Sequence, residues 1–154
     1  MRNKKLKSFT FTRVFNAKPE KVFNAWIDEK QLAKWWGPDG FTNPVCKLDV
    51  HPGGSIYIEM NGPDGVVYPM GGLFHEIQVP ELLVFTSTAY LNANGEPGLE
   101  ALNTVTFEDY DGNTKVTTTA EVLKMAREAE EAVEGMEEGW NQSFERLDQL
   151  VGSN

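Results

Sequence analysis

"MEEGWNQSFERLDQLV", residues 136–151, is the stretch that decides the fold of this 154-residue chain. Its apolar residues recur at helical spacing and form one stripe: Met136, Trp140, Phe144, Leu147 and Val151. The stripe predicts a helix from about Arg127 to Val151, with Gly152 as its stop signal. Such a helix is roughly 37 Å long at 1.5 Å per residue. The expected radius of gyration is only about 15 Å, so the helix must cross the whole body of the protein.

The residues before this helix begin with a strand and two short helices. Residues 8–16, "SFTFTRVFN", alternate with period two and predict the first strand. The period becomes helical after Pro19, which suits the first turn of a helix. A second short helix is predicted from Glu29 to Lys34, and "GPDG" at 37–40 ends it.

Six further strands are predicted between residues 41 and 122. They cover 41–50, 55–60, 66–79, 82–91, 102–109 and 114–122. Short turns between them, including a hairpin signal at Asp111-Gly112, imply antiparallel pairing. Pro44 predicts an edge strand or a bulge, and Gly71-Gly72 predicts a bulge or bend.

These elements predict a single α+β domain over residues 1–154. A curved antiparallel sheet of about seven strands wraps around the long C-terminal helix, and the two short helices after strand one close one end.

Charge and composition exclude several classes of function. The net charge is −9, and residues 125–138 contain one arginine and six glutamates. Nucleic acids and anionic membrane surfaces require clustered Lys and Arg, so neither is an expected partner. No stretch approaches the ~18 apolar residues of a membrane helix, and "MRNKKLK" at the start does not lead into a secretion signal. The single cysteine, Cys46, forms no internal disulfide and indicates a reducing, cytoplasmic setting.

Six segments, in order, resemble the family named for activators of Hsp90 ATPase, in the START and Bet v 1-like superfamily. They are "RVFNAKPEKVFNAWID" (13–28), "KWWGPDGF" (34–41), "PGGSIYIEMNGPDG" (52–65), "GGLFHEI" (71–77), "FEDYDGNTKVTTT" (107–119) and "GWNQSFERLDQLV" (139–151). The resemblance covers nearly the entire chain and implies the helix-grip fold. Members of this superfamily carry lipids, hormones or polyketides, cyclise substrates, or bind chaperones, so the resemblance implies several functions.

No catalytic motif or metal-ligand spacing is recognisable, and we expect neither a cofactor nor a metal. Cys46 and His51 are close in sequence, but no acid that would orient the histidine is identifiable. His75 faces solvent if Phe74 faces the core, because neighbours in a strand point to opposite faces. An enzyme would need an inward-pointing base among three candidates: His75, Glu59 and Glu76.

Many aromatic residues and methionines on opposing elements indicate a ligand cavity between the sheet and the C-terminal helix. Met adapts to variable contents, and scattered hydroxyl groups can orient a ligand's polar end. The candidate ligand-binding residues are Trp35, Trp36, Phe41, Tyr57, Met60, Met70, Phe74, Phe85, Phe107, Met136, Trp140 and Phe144. The alternative is that these side chains form an ordinary close-packed core.

Two glycines bear on this choice. Gly135 and Gly139 lie four residues apart and share a helix face beside the apolar stripe. The groove that they make either leaves room for a ligand or lets a strand or a bulky ring approach closely.

Adjacent tryptophans cannot fill the same place in a core, because consecutive residues point in different directions. One of Trp35 and Trp36 is therefore predicted to be core, and the other to line or gate the cavity mouth. The alternatives are that the second one shields a loop or contacts a partner.

Arg13 shares a strand face with three phenylalanines. If that face is interior, Arg13 needs a partner such as Glu59, Glu76 or a ligand anion. If it is exterior, a second subunit in a homodimer could cover it.

The leading hypothesis is a non-catalytic module that binds a small apolar or amphipathic molecule. The alternatives are a chaperone cofactor or other interaction module, and an enzyme that uses the same pocket.

Overall fold

The computed structural model describes residues 7–152 and contains one sheet with helices against one face. The elements are β1 (Ser8–Phe15), α1 (Pro19–Ile27), α2 (Glu29–Trp35), β2 (Thr42–Leu48), β3 (Ser55–Asn61), β4 (Val67–Gln78), β5 (Leu82–Leu91), β6 (Pro97–Tyr110), β7 (Asn113–Met125), a 3₁₀ turn (Arg127–Ala129), α3 (Glu130–Glu134) and α4 (Met136–Gly152).

The seven strands are antiparallel and lie in the order β1-β7-β6-β5-β4-β3-β2. Neighbours in sequence are neighbours in space from β2 to β7, because short turns join them. The link from β1 to β2 instead crosses from one edge of the sheet to the other and contains α1 and α2. The predicted α+β helix-grip architecture is confirmed.

Two local sheet features agree with the sequence. β2, which contains Pro44, is an edge strand, and its register shifts between Thr42 and Val45. Asp111 and Gly112 have φ values of 54° and 87°, so the predicted hairpin turn is present.

The bulge predicted at Gly71-Gly72 lies elsewhere. Both glycines pair in regular register with β5, and the shift occurs between Phe74 and Glu76. A Cβ atom on Gly72 would lie 1.9 Å from the carbonyl oxygen of Thr86. The glycine therefore permits a close approach of two backbones, which the sequence pattern does not distinguish from a bulge.

β6 begins five residues earlier than predicted because the loop before it is compact. The Asn92 amide nitrogen donates to the Glu96 carbonyl at 2.9 Å, and the Asn92 side chain accepts from the backbone of Asn94 and Glu96. Strand pairing consequently resumes at Leu91 and Pro97.

The predicted continuous helix over residues 127–151 is interrupted. A 3₁₀ turn and α3 precede Gly135, which has φ −89° and ψ 3°, and α4 follows. Glycine inside a helix costs about 1 kcal/mol relative to alanine, so the break falls where helix continuation is weakest. The 17 residues of α4 span about 25 Å. Within residues 7–152, no helix combines the length and apolar character that crossing a membrane requires.

The core lies between α1, α4 and the inner face of the sheet. Trp26 is at its centre, where its ring contacts those of Phe107 and Phe144. The buried residues on the inner face of β6 and β7 alternate along each strand: Val105, Phe107, Val116, Thr118, Ala120 and Val122.

The phenylalanine face of β1 is interior, since Phe11 and Phe15 are buried. Arg13 on that face is half-buried, and its Nη2 lies 3.2 Å from Oδ2 of Asp148 on α4. Its partner is therefore neither Glu59 nor Glu76. Placement at the sheet edge lets the guanidinium reach the helix surface without full burial.

Candidate functional site

A cavity of about 800 Å³ lies between the inner sheet face and the α3–α4 segment. This volume is within the 300–1,000 Å³ typical of small-molecule sites. Six of the twelve predicted site residues line it: Trp36, Phe41, Met60, Met70, Met136 and Trp140. These six residues give the cavity aromatic and thioether surfaces on β3, β4, α4 and the segment after α2.

The other six predicted residues lie outside this cavity. Five are buried in the core: Trp35, Phe74, Phe85, Phe107 and Phe144. Tyr57 points away from the core, with 40% of its surface exposed and its hydroxyl donating to Glu59 at 2.7 Å. Ile56 and Ile58 occupy the inner face of β3 in its place.

The two adjacent tryptophans have separate environments. Trp35 is fully buried, and its Nε1 donates to the carbonyl oxygen of Ala25 at 2.9 Å. Trp36 is half-buried, lines the cavity and meets the ring of Trp140 edge-on, with centroids 5.4 Å apart. Trp35 is thus the core member of the pair, and Trp36 is the one at the cavity.

α4 holds the loop that follows Trp36. The Arg146 guanidinium donates to four oxygens of this loop: the carbonyls of Trp35, Gly37 and Pro38 and the carboxylate of Asp39. The hydroxyl of Ser143 also donates to the Gly37 carbonyl, at 2.8 Å. Because Gly37 and Pro38 line the cavity, these bonds set the position of one wall.

Small side chains on β5 and β6 leave the volume of the cavity unfilled. The inner positions of these strands are large at one end, with Leu83 and Phe85 on β5. They become small or polar toward the other end, where the lining residues are Ser87, Ala89, Ala101 and Asn103. Sequence reasoning missed these four residues, although the change from large to small along two paired strands was a readable signal.

The cavity contains a buried polar pair. Asn103 is 1% exposed, and its Nδ2 donates to Ser87 Oγ at 3.1 Å and to the Phe85 carbonyl at 3.4 Å. Both side chains belong to the inner sheet face and border the cavity. This pair adds polar groups to a lining that is mostly apolar.

The formal charge in the cavity lining is negative. Among the lining residues that the structure describes, Glu131 is charged and none is Lys, Arg or His. Partial burial, together with neighbouring Tyr68 and Glu131, raises the pKa of the lining residue Tyr90. A negatively charged ligand group would find no countercharge here.

Cys46 and His51 do not form a nucleophile pair. Burial first, and then nearby Glu29, raises the pKa of the Cys46 thiol to about 11. His51 bonds the Pro52 carbonyl and Asp49, both at 3.0 Å, and those contacts, the Pro52 carbonyl first, raise the pKa of His51. The thiol stays protonated at neutral pH and is a poor nucleophile.

The three candidate bases lie away from the cavity. His75 is exposed at the β4 bulge, where its Nε2 lies 3.2 Å from Thr86 Oγ1. Glu76 is exposed next to it and bonds Gln78, and Glu59 accepts from Tyr57 on the outer face of β3. Within the described range, no group of three or more His, Cys, Asp or Glu side chains is placed to hold a metal ion.

Comparison with known proteins identifies relatives. A family model described as "Activator of Hsp90 ATPase homolog 1-like protein" matches residues 16–152. No curated protein matches the chain.

Solved structures with the same fold come from several bacteria. A Chromobacterium violaceum protein is 27% identical, with a TM-score of 0.77 over 96% of this chain and 98% of its own. An Arthrobacter aurescens protein is also 27% identical, with a TM-score of 0.79 over 94% and 85%. A Nitrosomonas europaea protein, at 23% identity, has a TM-score of 0.79 over 94% and 93% and supports the fold alone.

Proposed function

The chain belongs to the family of Activator of Hsp90 ATPase homolog 1-like proteins, and we propose that it binds a small, largely apolar molecule between the sheet and α4. The observation that carries this proposal is the cavity of about 800 Å³ with its aromatic and methionine walls. Met side chains adapt to contents of variable shape, and Trp36 and Trp140 supply large apolar surfaces.

The two helix glycines favour a ligand over close packing. Both line the cavity. A Cβ atom on Gly139 would come no closer than 3.6 Å, to Pro38, and one on Gly135 would lie 3.6 Å from the Glu131 carbonyl. These are ordinary contact distances, so a methyl group would fit at either position, although the Pro38 ring borders Gly139. The groove is room beside the helix, which supports the first of the two sequence interpretations.

The rim of the cavity suits the entry of an apolar molecule. Val66, Val67 and Leu91 line it with 47%, 48% and 61% of their surfaces exposed. These residues lie at the ends of the β3–β4 and β5–β6 hairpins. An apolar ligand would meet apolar surface before it enters.

Filling the cavity should abolish most binding without unfolding the protein. Ala89→Leu adds three carbons at an inner, half-buried lining position. We expect it to weaken binding of the neutral dye Nile red roughly tenfold, about 1.4 kcal/mol, in a fluorescence titration. Thr104→Leu, on the outer face of β6, is the matched control and should bind as the wild type does. Equal affinity of the wild type and Ala89→Leu would contradict the proposal.

A second candidate is a chaperone-cofactor role, which the family's description suggests. Six glutamates around α3 are exposed and could meet a basic partner surface: Glu128, Glu130, Glu131, Glu134, Glu137 and Glu138. If this role holds, the protein stimulates the ATPase of an Hsp90-type chaperone, and Glu130→Lys with Glu134→Lys removes most of that stimulation. Glu145→Lys, exposed on α4, is the control. No stimulation by the wild-type protein at any concentration would remove this candidate.

A further inference from the structure

The orientation of the Asn103 amide is determined by its neighbours. Asn103 pairs with Phe85 across β5 and β6, and the Phe85 carbonyl lies 3.4 Å from its Nδ2. A carbonyl oxygen requires a donor, so the nitrogen faces β5 and Oδ1 points the other way. Within residues 7–152, Oδ1 has no hydrogen-bond partner, although the side chain is 1% exposed and borders the cavity. Oδ1 is not among the fully enclosed side-chain atoms that lack a hydrogen bond, so it is an acceptor in contact with the cavity space.

Ser87 supplies the complementary group. Its Oγ accepts the second hydrogen bond from Asn103, at 3.1 Å. The hydroxyl hydrogen of a serine remains free to donate when the oxygen accepts. Together, Asn103 and Ser87 present one acceptor and one donor on the same cavity wall, and the 3.1 Å bond between Nδ2 and Oγ joins the two side chains.

The surrounding charges determine which polar groups fit. The charged lining residue is Glu131, and the described lining contains no cationic side chain. Desolvating a carboxylate or phosphate without a countercharge is costly. A neutral group that both donates and accepts loses little free energy on leaving water, because Asn103 and Ser87 replace its hydrogen bonds to water.

We propose that Asn103 and Ser87 form a subsite for a neutral hydrogen-bonding group, a hydroxyl or a primary amide, at one end of an otherwise apolar ligand. This inference rests on the proposed function and names the ligand class: a neutral amphiphile rather than a fatty acid or other anion. The apolar part of the ligand packs against Trp36, Trp140 and the methionines of the wall.

A purely structural role for the pair makes a different prediction. If Asn103 and Ser87 only satisfy one another, replacing Ser87 alters stability but not the choice between ligands. If the pair is a subsite, replacing Ser87 reduces the preference for a neutral end group through weaker binding of the neutral ligand.

The test compares 1-decanol with decanoate at pH 8, followed by the fluorescence of the cavity tryptophans in the full chain. We expect wild type to bind decanol at least roughly tenfold more tightly than decanoate, because the pair bonds the hydroxyl and because no countercharge offsets desolvation of the carboxylate. Ser87→Ala should reduce that preference severalfold through weaker decanol binding, and the part due to desolvation should remain. Asn103→Leu should do the same, and Thr104→Val on the outer face of β6 is the matched control.

The outcomes distinguish the polar subsite from the proposed binding of an apolar ligand. Binding of both probes without preference, or a preference that Ser87→Ala leaves intact, overturns the subsite while ligand binding stands. Binding of neither decanol nor Nile red overturns both. A reduced preference in Ser87→Ala, caused by weaker binding of decanol, supports the subsite.

Discussion

Trp35→Ala is expected to lower the free energy of unfolding by about 3–5 kcal/mol, the range for removing a fully buried large aromatic residue. Trp35 has no exposed surface, and its ring meets that of Trp26 edge-on with centroids 4.8 Å apart. The substitution would also leave the buried Ala25 carbonyl without the indole donor. Urea denaturation followed by far-ultraviolet circular dichroism measures the loss without relying on tryptophan fluorescence.

Trp36→Ala is the adjacent control, because its side chain is only half-buried and borders the cavity, although one side of the ring packs against the core. It should cost less than about 2 kcal/mol, given that the substitution creates no closed void, and it should weaken Nile red binding. Equal losses of stability for the two variants would show that the described division between core and cavity tryptophan is wrong.

Arg146→Met is expected to destabilise the fold by about 2–3 kcal/mol, because several part-buried carbonyls lose a charged donor at once. The guanidinium joins α4 to the loop through the carbonyls of Trp35, Gly37 and Pro38. Arg146→Lys should recover only part of the loss, since an ammonium group lacks the planar fork that reaches several oxygens together. Thermal or urea denaturation measures both variants.

Asp39→Asn separates the carbonyl contacts from the ion pair. The Asp39 side chain is 71% exposed, and its Oδ1 lies 2.9 Å from Arg146 Nη1. An exposed pair contributes at most about 1 kcal/mol, so this variant should be nearly as stable as the wild type. A loss equal to that of Arg146→Met would attribute the effect to the charge pair and contradict the role of the carbonyls.

The strands and short helices were predictable because they depend on local periodicity. Alternation in residues 8–16 identified β1, and Asp111-Gly112 identified the β6–β7 hairpin. The apolar stripe of residues 136–151 identified α4. The break at Gly135 was not predicted, since the stripe continues through it and a single glycine inside a helix is often tolerated.

Half of the candidate residues chosen from the sequence line the cavity. Period-two alternation shows that Tyr57 and Met60 lie on opposite faces of β3, but it does not show which face is inside. In the fold, Met60 lines the cavity, whereas Tyr57 points outward. Likewise, adjacency alone separates Trp35 from Trp36, and only packing against α1 and α4 assigns their environments.

The sequence by itself determined the order of elements, the two faces of each strand and the stripe of the last helix, because these follow from spacing along the chain. Only the tertiary structure decided which aromatic residues face empty space. That depends on the register that places Asn103 opposite Phe85 and on where α4 crosses the sheet. Both are relations between residues far apart in sequence, and side-chain volume summed across several elements determines whether a core closes or leaves a cavity.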